Sequence, residues 1–166
     1  MPSLIAVAAA VACAILLTIA GLWWLRRQYA VVTVAGTSME PTFRSGERVV
    51  VRRIATHRLT RMSVVVVRDS VHLQGRIPEA VRPRKDRRSV TSGWAGPCLI
   101  KRVAAVPGDP VPRDTVPALR DAPESSVPPG RVVLLGDNPD QSYDSRVHGY
   151  FSTTELLGRV VKRFDG

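Results

Sequence analysis

The sequence predicts a mainly β domain, a sandwich or barrel, behind one N-terminal transmembrane helix. Three observations predict it. The first 25 residues carry no charged side chain. The later apolar runs are short, rich in valine and bounded by turn residues, which is a strand pattern and too short for stable helices. No long helical pattern separates these runs, and strands without intervening helices point to an all-β architecture.

The helix comes first. "SLIAVAAAVACAILLTIAGLWW", Ser3 to Trp24, is apolar over 22 residues. At 1.5 Å per residue it reaches about 33 Å, enough to cross a hydrocarbon core of roughly 30 Å. Trp23 and Trp24 suit the interface, with Arg26 and Arg27 just beyond it. A cleavable signal peptide would have a basic n-region and a shorter apolar run, so an uncleaved anchor is the better reading. Residues 1–28 are therefore the anchor and its flank, and 29–166 the folded domain. The Arg26–Arg27 pair alone would keep that domain in the cytoplasm, but long domains can be translocated regardless of such charges.

The strands follow in order: Val31–Gly36, Arg48–Arg53, Ser63–Arg68, Cys98–Val106, Arg131–Gly136 and Leu156–Phe164. No repeat of fixed period links them. Two stretches between them read as loops. Residues 69–96 hold "RPRKDRR" and "TSGWAGP", and residues 107–130 hold "PGDPVPRD" and "APESSVPPG". Charge-dense and proline-rich segments bury little apolar surface and are often mobile.

The formal net charge is +10, carried by 21 arginines and three lysines. Such a balance fits an anionic membrane surface or nucleic acid. "RPRKDRR" has no interleaved aromatics and no nucleic-acid fold around it, so a solvated loop is preferred over a specific nucleic-acid partner. Cys13 lies in the apolar helix and Cys98 in the domain, which argues against a disulfide scaffold or a zinc site. No metal or cofactor is called for.

A site is suggested by "AGTSMEPTF", where Ser38 sits in a turn after an apolar strand. A serine hydroxyl needs a base. The histidines are His57, His72 and His148. His148, in "YDSRVHG", is the sharpest of them, although a histidine in a Gly- and Arg-flanked turn is more often a surface residue. A lysine acts as a base only when neutral, which requires its pKa to fall from about 10.4. Burial in apolar surroundings does this. Lys85 stands among charges and Lys162 beside Arg163. Lys101, in "CLIKRVAAV", has apolar neighbours on both sides and is the lysine whose context could dry it. A strand-face lysine in solvent is the bland alternative. The later "LLGDNPDQSYDSRVHGYF" adds two serines, acids and an arginine after a Val/Leu strand. Such a cluster could orient a buried amine, or serve as a plain surface turn.

Three segments, in order, resemble type I signal peptidases, membrane-bound Ser/Lys endopeptidases. "GTSMEPT" is similar to that family's nucleophile box, "IKRVAAVPGD" to its lysine box and "GDNPDQSYDSRVHG" to its third box. The resemblance spans most of 31–150 and implies a signal-peptidase-like β domain. It implies Ser38 as nucleophile and Lys101 as general base. Ser142 would orient the lysine amine. Asp144 and Arg146 would form a supporting ion pair, with Arg102 and Ser145 nearby. The Ser38 backbone N–H would form part of the oxyanion hole. Some members carry a hydroxyl two residues before the nucleophile; here that position is Gly36. Val32, Val34, Met39 and Ile100 would line shallow pockets for small residues, as in Ala-x-Ala sites.

The resemblance also implies preprotein signal peptides as substrates and a catalytic domain on the extracytoplasmic side of the membrane, with anionic lipid headgroups as partners of the basic surface. One departure concerns the family's Arg-Gly-Asp turn, replaced here by Arg61-Met62-Ser63. The short segment before "GDN" resembles minimal single-anchor members. It leaves open a general enzyme or a dedicated maturation protease. Self-cleaving Ser/Lys regulators would need a DNA-binding segment, which this apolar N-terminus lacks. A catalytically silent membrane-tethered binding module is the reading from a different class.

Overall fold

The computed structural model describes residues 3–53, 58–68 and 98–164. Helix α1 spans Leu4–Gln28. Ser3 caps it, its hydroxyl accepting from the Ala6 N–H at 3.3 Å, which satisfies one of the free donors of a first turn. Leu4 and residues 6–27 are exposed. The helix is long and apolar enough to cross a membrane. At its end the Arg27 guanidinium stacks 3.6 Å over the Trp23 ring.

The strands are β1 (Tyr29–Thr33), β2 (Arg48–Arg52), β3 (Val64–Arg68), β4 (Cys98–Ala105), β5 (Arg131–Leu135), β6 (Phe151–Ser152) and β7 (Leu156–Phe164). They form one antiparallel sheet in the order β1-β2-β7-β3-β4-β5-β6. The expected mainly β class is what the chain adopts. β-Branched valines dominate the strands because their restricted rotamers suit a pleated, half-buried surface.

The β3 strand shows how the sheet is layered. Val65, Val66 and Val67 are all buried. Successive side chains point to opposite faces, so both faces must be covered. Val66 joins Val32, Val34, Met39, Phe43, Val49, Val51 and Ile100 in one core. Val65 and Val67 join Val103, Val132, Leu134 and Phe151 in another.

Several boundaries differ from the expected ones. β1 begins at Tyr29 and leaves the ladder before Gly36. The helix passes into it with no intervening linker, tied by the Arg53 N–H to the Gln28 carbonyl at 2.9 Å. Gly36 turns the chain away from the sheet with φ 82°, a conformation open to glycine at little cost. β6 has two residues, too few for any hydrophobic period to register.

The segment 107–130 corrects the expectation of a loop that buries little. Val111, Val116, Leu119 and Val127 pack with Ala105 and Val133 into a third core. Backbone bonds from Gly108 N to Val127 O and from Val127 N to Asp109 O close the segment on itself. Arg113 donates to the carbonyls of Ala122 and Glu124 at 2.9 and 2.6 Å. Prolines and charges hid four apolar residues spaced for packing. The other expected loop, 69–96, lies outside the described residues, as do His57, His72 and Lys85.

The Arg61-Met62-Ser63 turn forms without glycine. Met62 adopts φ 65°, which costs an L residue roughly 1–2 kcal/mol. Its N–H donates to the Val103 carbonyl at 2.8 Å, and its carbonyl accepts from Arg102 Nη1 at 2.9 Å. These two bonds offset the strain and hold the turn against β4.

Candidate active site

The site assembles where three segments meet: the turn after β1, the middle of β4 and the loop after β5. Lys101 stands on β4 opposite Val65 of β3. It shares a face with Leu99 and Val103 by strand alternation, and it is 2 % exposed. A lysine this buried needs hydrogen-bonding partners. Its amine donates to Ser142 Oγ at 2.9 Å.

Ser142 passes its own proton on, donating to Asp144 Oδ2 at 2.7 Å. Asp144 is wholly buried. Its carboxylate also accepts from the Gly136 N–H at 2.7 Å, Arg146 Nη1 at 2.8 Å and the Arg146 N–H at 3.0 Å. Four donors satisfy a buried carboxylate, where a missing one would be costly. Asp144 also caps the short helix α2, Ser145–His148. The ion pair between Asp144 and Arg146 is therefore present, and Arg146 Nη2 reaches on to the Gly136 carbonyl at 3.2 Å.

Ser145 is buried and accepts from the Leu134 N–H at 2.8 Å. It clamps α2 to β5. The His148 ring packs beside Phe151 at 4.9 Å and Tyr143 at 6.4 Å, on the aromatic side of the same helix.

Ser38 is brought to this cluster by its backbone. Its carbonyl accepts from the Asn138 N–H at 3.0 Å. A Cβ added to Gly136 would lie 2.6 Å from that carbonyl and 2.1 Å from Ser142 Oγ. The absent side chain of Gly136 is thus the space in which the Ser38 turn and Ser142 approach each other. Met39, next to Ser38, is buried in the same core as Val32, Val34 and Ile100, so the four residues expected at a pocket lie together.

Arg102, adjacent to Lys101, points to the opposite face. It pairs with Asp137 rather than with the Asp144–Arg146 couple, through Nε at 2.8 Å and Nη2 at 2.6 Å. It also donates to Thr42 Oγ1 at 3.3 Å. One guanidinium therefore joins the Ser38 turn, the Met62 turn and the loop after β5. Asp137 and Thr42 were not singled out from the sequence. The signal was available: alternation in β4 sends Arg102 away from a buried Lys101, so Arg102 needs an acid of its own.

Burial raises the Asp137 carboxyl, but hydrogen bonds from Arg102 and Thr42 and the charges of Arg102 and Arg146 outweigh it, leaving it below its ordinary value. The hydrogen bond to Asp137 raises the Arg102 guanidinium against its own desolvation. A carboxyl depressed on folding adds stability above its unfolded value near 3.9, and this is lost as pH falls toward the folded value. Asp137→Asn is expected to cost about 1–2 kcal/mol at pH 7, allowing for the pair's partial exposure. The gap to wild type should close as pH drops below about 4. Denaturant unfolding of both proteins at pH 7 and pH 3.5 measures this, and a gap independent of pH would refute it.

Comparison with known proteins identifies the family. A model of the family "Signal peptidase, peptidase S26" matches residues 4–117 and 114–164. The chain belongs to the signal peptidase family. This peptidase is 33% identical over 146 residues to signal peptidase IB of Staphylococcus aureus, covering 80% of this chain and 75% of the relative. It is 33% identical over 133 residues to mitochondrial inner membrane protease subunit 1 of Xenopus tropicalis, covering 80% and 67%. With a probable signal peptidase I-1 of Synechocystis it shares 28% identity over 147 residues, covering 79% and 68%. Family membership makes the peptidase a serine endopeptidase, a hydrolase. Among the described residues no group of His, Cys, Asp and Glu could hold a metal ion.

Proposed function

We propose that this chain is a membrane-anchored endopeptidase that removes signal peptides from exported preproteins, with Ser38 as nucleophile and Lys101 as general base. One observation carries the reading. A fully buried lysine amine donates to a serine hydroxyl that is itself committed to a buried carboxylate. Ser142 has one proton and gives it to Asp144, so it can only accept from Lys101. That fixes one N–H of the amine. Burial withdraws water from the amine, and loss of water favours the uncharged form that can take a proton.

The chemistry then runs in balanced steps. Ser38 Oγ attacks the scissile carbonyl carbon while its proton passes to the Lys101 amine. The C–N bond breaks, and the Lys101 ammonium returns the proton to the leaving amine. Water then attacks the acyl carbon and gives its proton to the same amine, the C–Oγ bond breaks, and the Lys101 ammonium returns that proton to Ser38 Oγ as the acid product leaves. Gly36 offers no hydroxyl, so the developing oxyanion relies on backbone N–H groups, that of Ser38 among them. Comparable donors are each worth roughly 3–4 kcal/mol.

The substrate has a natural berth. β1 is the end strand of the sheet, and its outer edge pairs with no described strand. An extended peptide could hydrogen-bond to such an edge. Val32, Val34, Met39 and Ile100 are at most 7 % exposed, which leaves a low-relief surface suited to small side chains such as alanine. We place the domain on the extracytoplasmic side, with Arg26 and Arg27 against anionic headgroups.

The test is cleavage in detergent of a preprotein panel bearing Ala-x-Ala sites, with cut sites mapped by mass spectrometry. Wild type should cut after the second alanine, and Ser38→Ala should leave every preprotein intact. Cleavage by Ser38→Ala at the wild-type rate would overturn the assignment.

A further inference from the structure

Arg163, near the end of β7, lies outside all three motif segments and 125 residues beyond Ser38. Yet its guanidinium engages the Ser38 turn at three places. Nη2 donates to the Thr42 carbonyl. Nε lies 3.4 Å from Glu47 Oε2. The guanidinium carbon sits 5.1 Å over the Phe43 ring. Thr42 is also gripped from the other side, its hydroxyl meeting Arg102 and Asp137. Asp137 adjoins Asn138, whose N–H holds the Ser38 carbonyl.

The turn is thus pinned at both ends. Asn138 holds it at Ser38. At Thr42 and Phe43 it is held by one arginine from β4 and one from β7. Between these points it is a tight turn, with the Phe43 N–H donating to the Met39 carbonyl at 2.9 Å and the Glu40 N–H to the Thr37 carbonyl at 3.1 Å. Tightness transmits position: a shift at Thr42 reaches Ser38 through only three intervening residues, in a turn closed by these two bonds. The planar fork of arginine suits this task, because it can stack on Phe43 while donating to Thr42 and lying in ion-pair range of Glu47, which an ammonium cannot do together.

We propose that Arg163 is a positioning residue for the nucleophile, fixing the far end of the Ser38 turn from β7. The proposal rests on the reading of Ser38 as the attacking group. A misplaced nucleophile slows the chemical step far more than binding, and small displacements carry large costs. A competing explanation is purely structural. Glu47 Oε2 is buried and makes no hydrogen bond among the described residues, so loss of Arg163 would strand a carboxylate and loosen the fold generally.

The experiment separates the two with Arg163→Ala, Arg163→Lys, the double variant Arg163→Ala/Glu47→Gln, and Lys162→Ala as a neighbouring control. Preprotein cleavage and backbone hydrogen exchange over residues 37–47 are followed well below each variant's Tm. Arg163→Ala is expected to lower kcat about tenfold with KM within about twofold, and to speed exchange in the turn. Arg163→Lys should fall between it and wild type. Lys162→Ala should match wild type. The double variant should regain thermal stability but not kcat. Wild-type kcat in Arg163→Ala, or recovery of kcat in the double variant, overturns the proposal. If wild type cuts no preprotein, the reading of the site fails, and exchange then decides alone: unchanged exchange in Arg163→Ala refutes the positioning role.

Discussion

Lys101→Met is expected to abolish preprotein cleavage while leaving the protein at least as stable as wild type. Loss of general-base catalysis costs on the order of 10²–10⁴-fold in rate, and more when the base and nucleophile act as a unit. Methionine matches the length of the lysine stem and adds no charge, so the cores flanking β4 keep their packing. Replacing a buried ionisable group by an apolar one of similar volume is often neutral or stabilising. Ser142 loses the amine but keeps its bond to Asp144, so the stranded polarity is small. Activity and Tm should therefore move independently. They are measured on one preparation, by preprotein turnover and thermal unfolding. Turnover within tenfold of wild type would remove Lys101 from the mechanism. A collapsed Tm would show that the amine serves the fold.

Gly136→Ala should be nearly as damaging, for a steric reason. The Gly136 N–H donates to Asp144 Oδ2 and its carbonyl accepts from Arg146 Nη2, so the backbone there cannot retreat without breaking the buried ion pair. A new Cβ would sit 2.1 Å from Ser142 Oγ, 2.6 Å from Ser142 Cβ and 2.6 Å from the Ser38 carbonyl. Either Ser142 rotates away and releases the Lys101 amine, or the Ser38 turn moves and loses its bond from Asn138. Both outcomes displace groups of the proposed site. We expect kcat to fall about 10²-fold with a smaller change in KM, and stability to drop about 1–3 kcal/mol from overpacking. Steady-state kinetics and denaturant titration check this. Because Gly136 does not have a positive φ, wild-type kcat in the alanine variant would mean that the turn and Ser142 can separate at no cost to the chemistry.

The apolar helix, the strands and the three motif segments were legible in the linear chain, since each depends on patterns a few residues long. An uncharged run of membrane length, period-two valines and turn residues after strands are all local facts. Lys101 could be picked from three lysines because its flanks alone are apolar. The packing of 107–130 was not legible: its four apolar residues are scattered among prolines, and only their convergence on Ala105 and Val133 makes them a core. The two-residue β6 and the left-handed Met62 escaped for the same reason, since each is held by partners distant in sequence.

The site divides along the same line. The resemblance to the family's three boxes marked Ser38, Lys101, Ser142, Asp144 and Arg146 as candidates. What connects them was settled by the sheet. Antiparallel pairing places Lys101 opposite Val65, and alternation drives its amine into the interior while turning Arg102 toward Asp137. Gly136 then leaves the gap in which Ser38 and Ser142 meet. The candidates for the proposed chemistry could be read along the chain, because reactivity belongs to residue type. Their burial, their shared hydrogen bonds and their supporting contacts came from the fold, because these arise between segments some 30 to 120 residues apart.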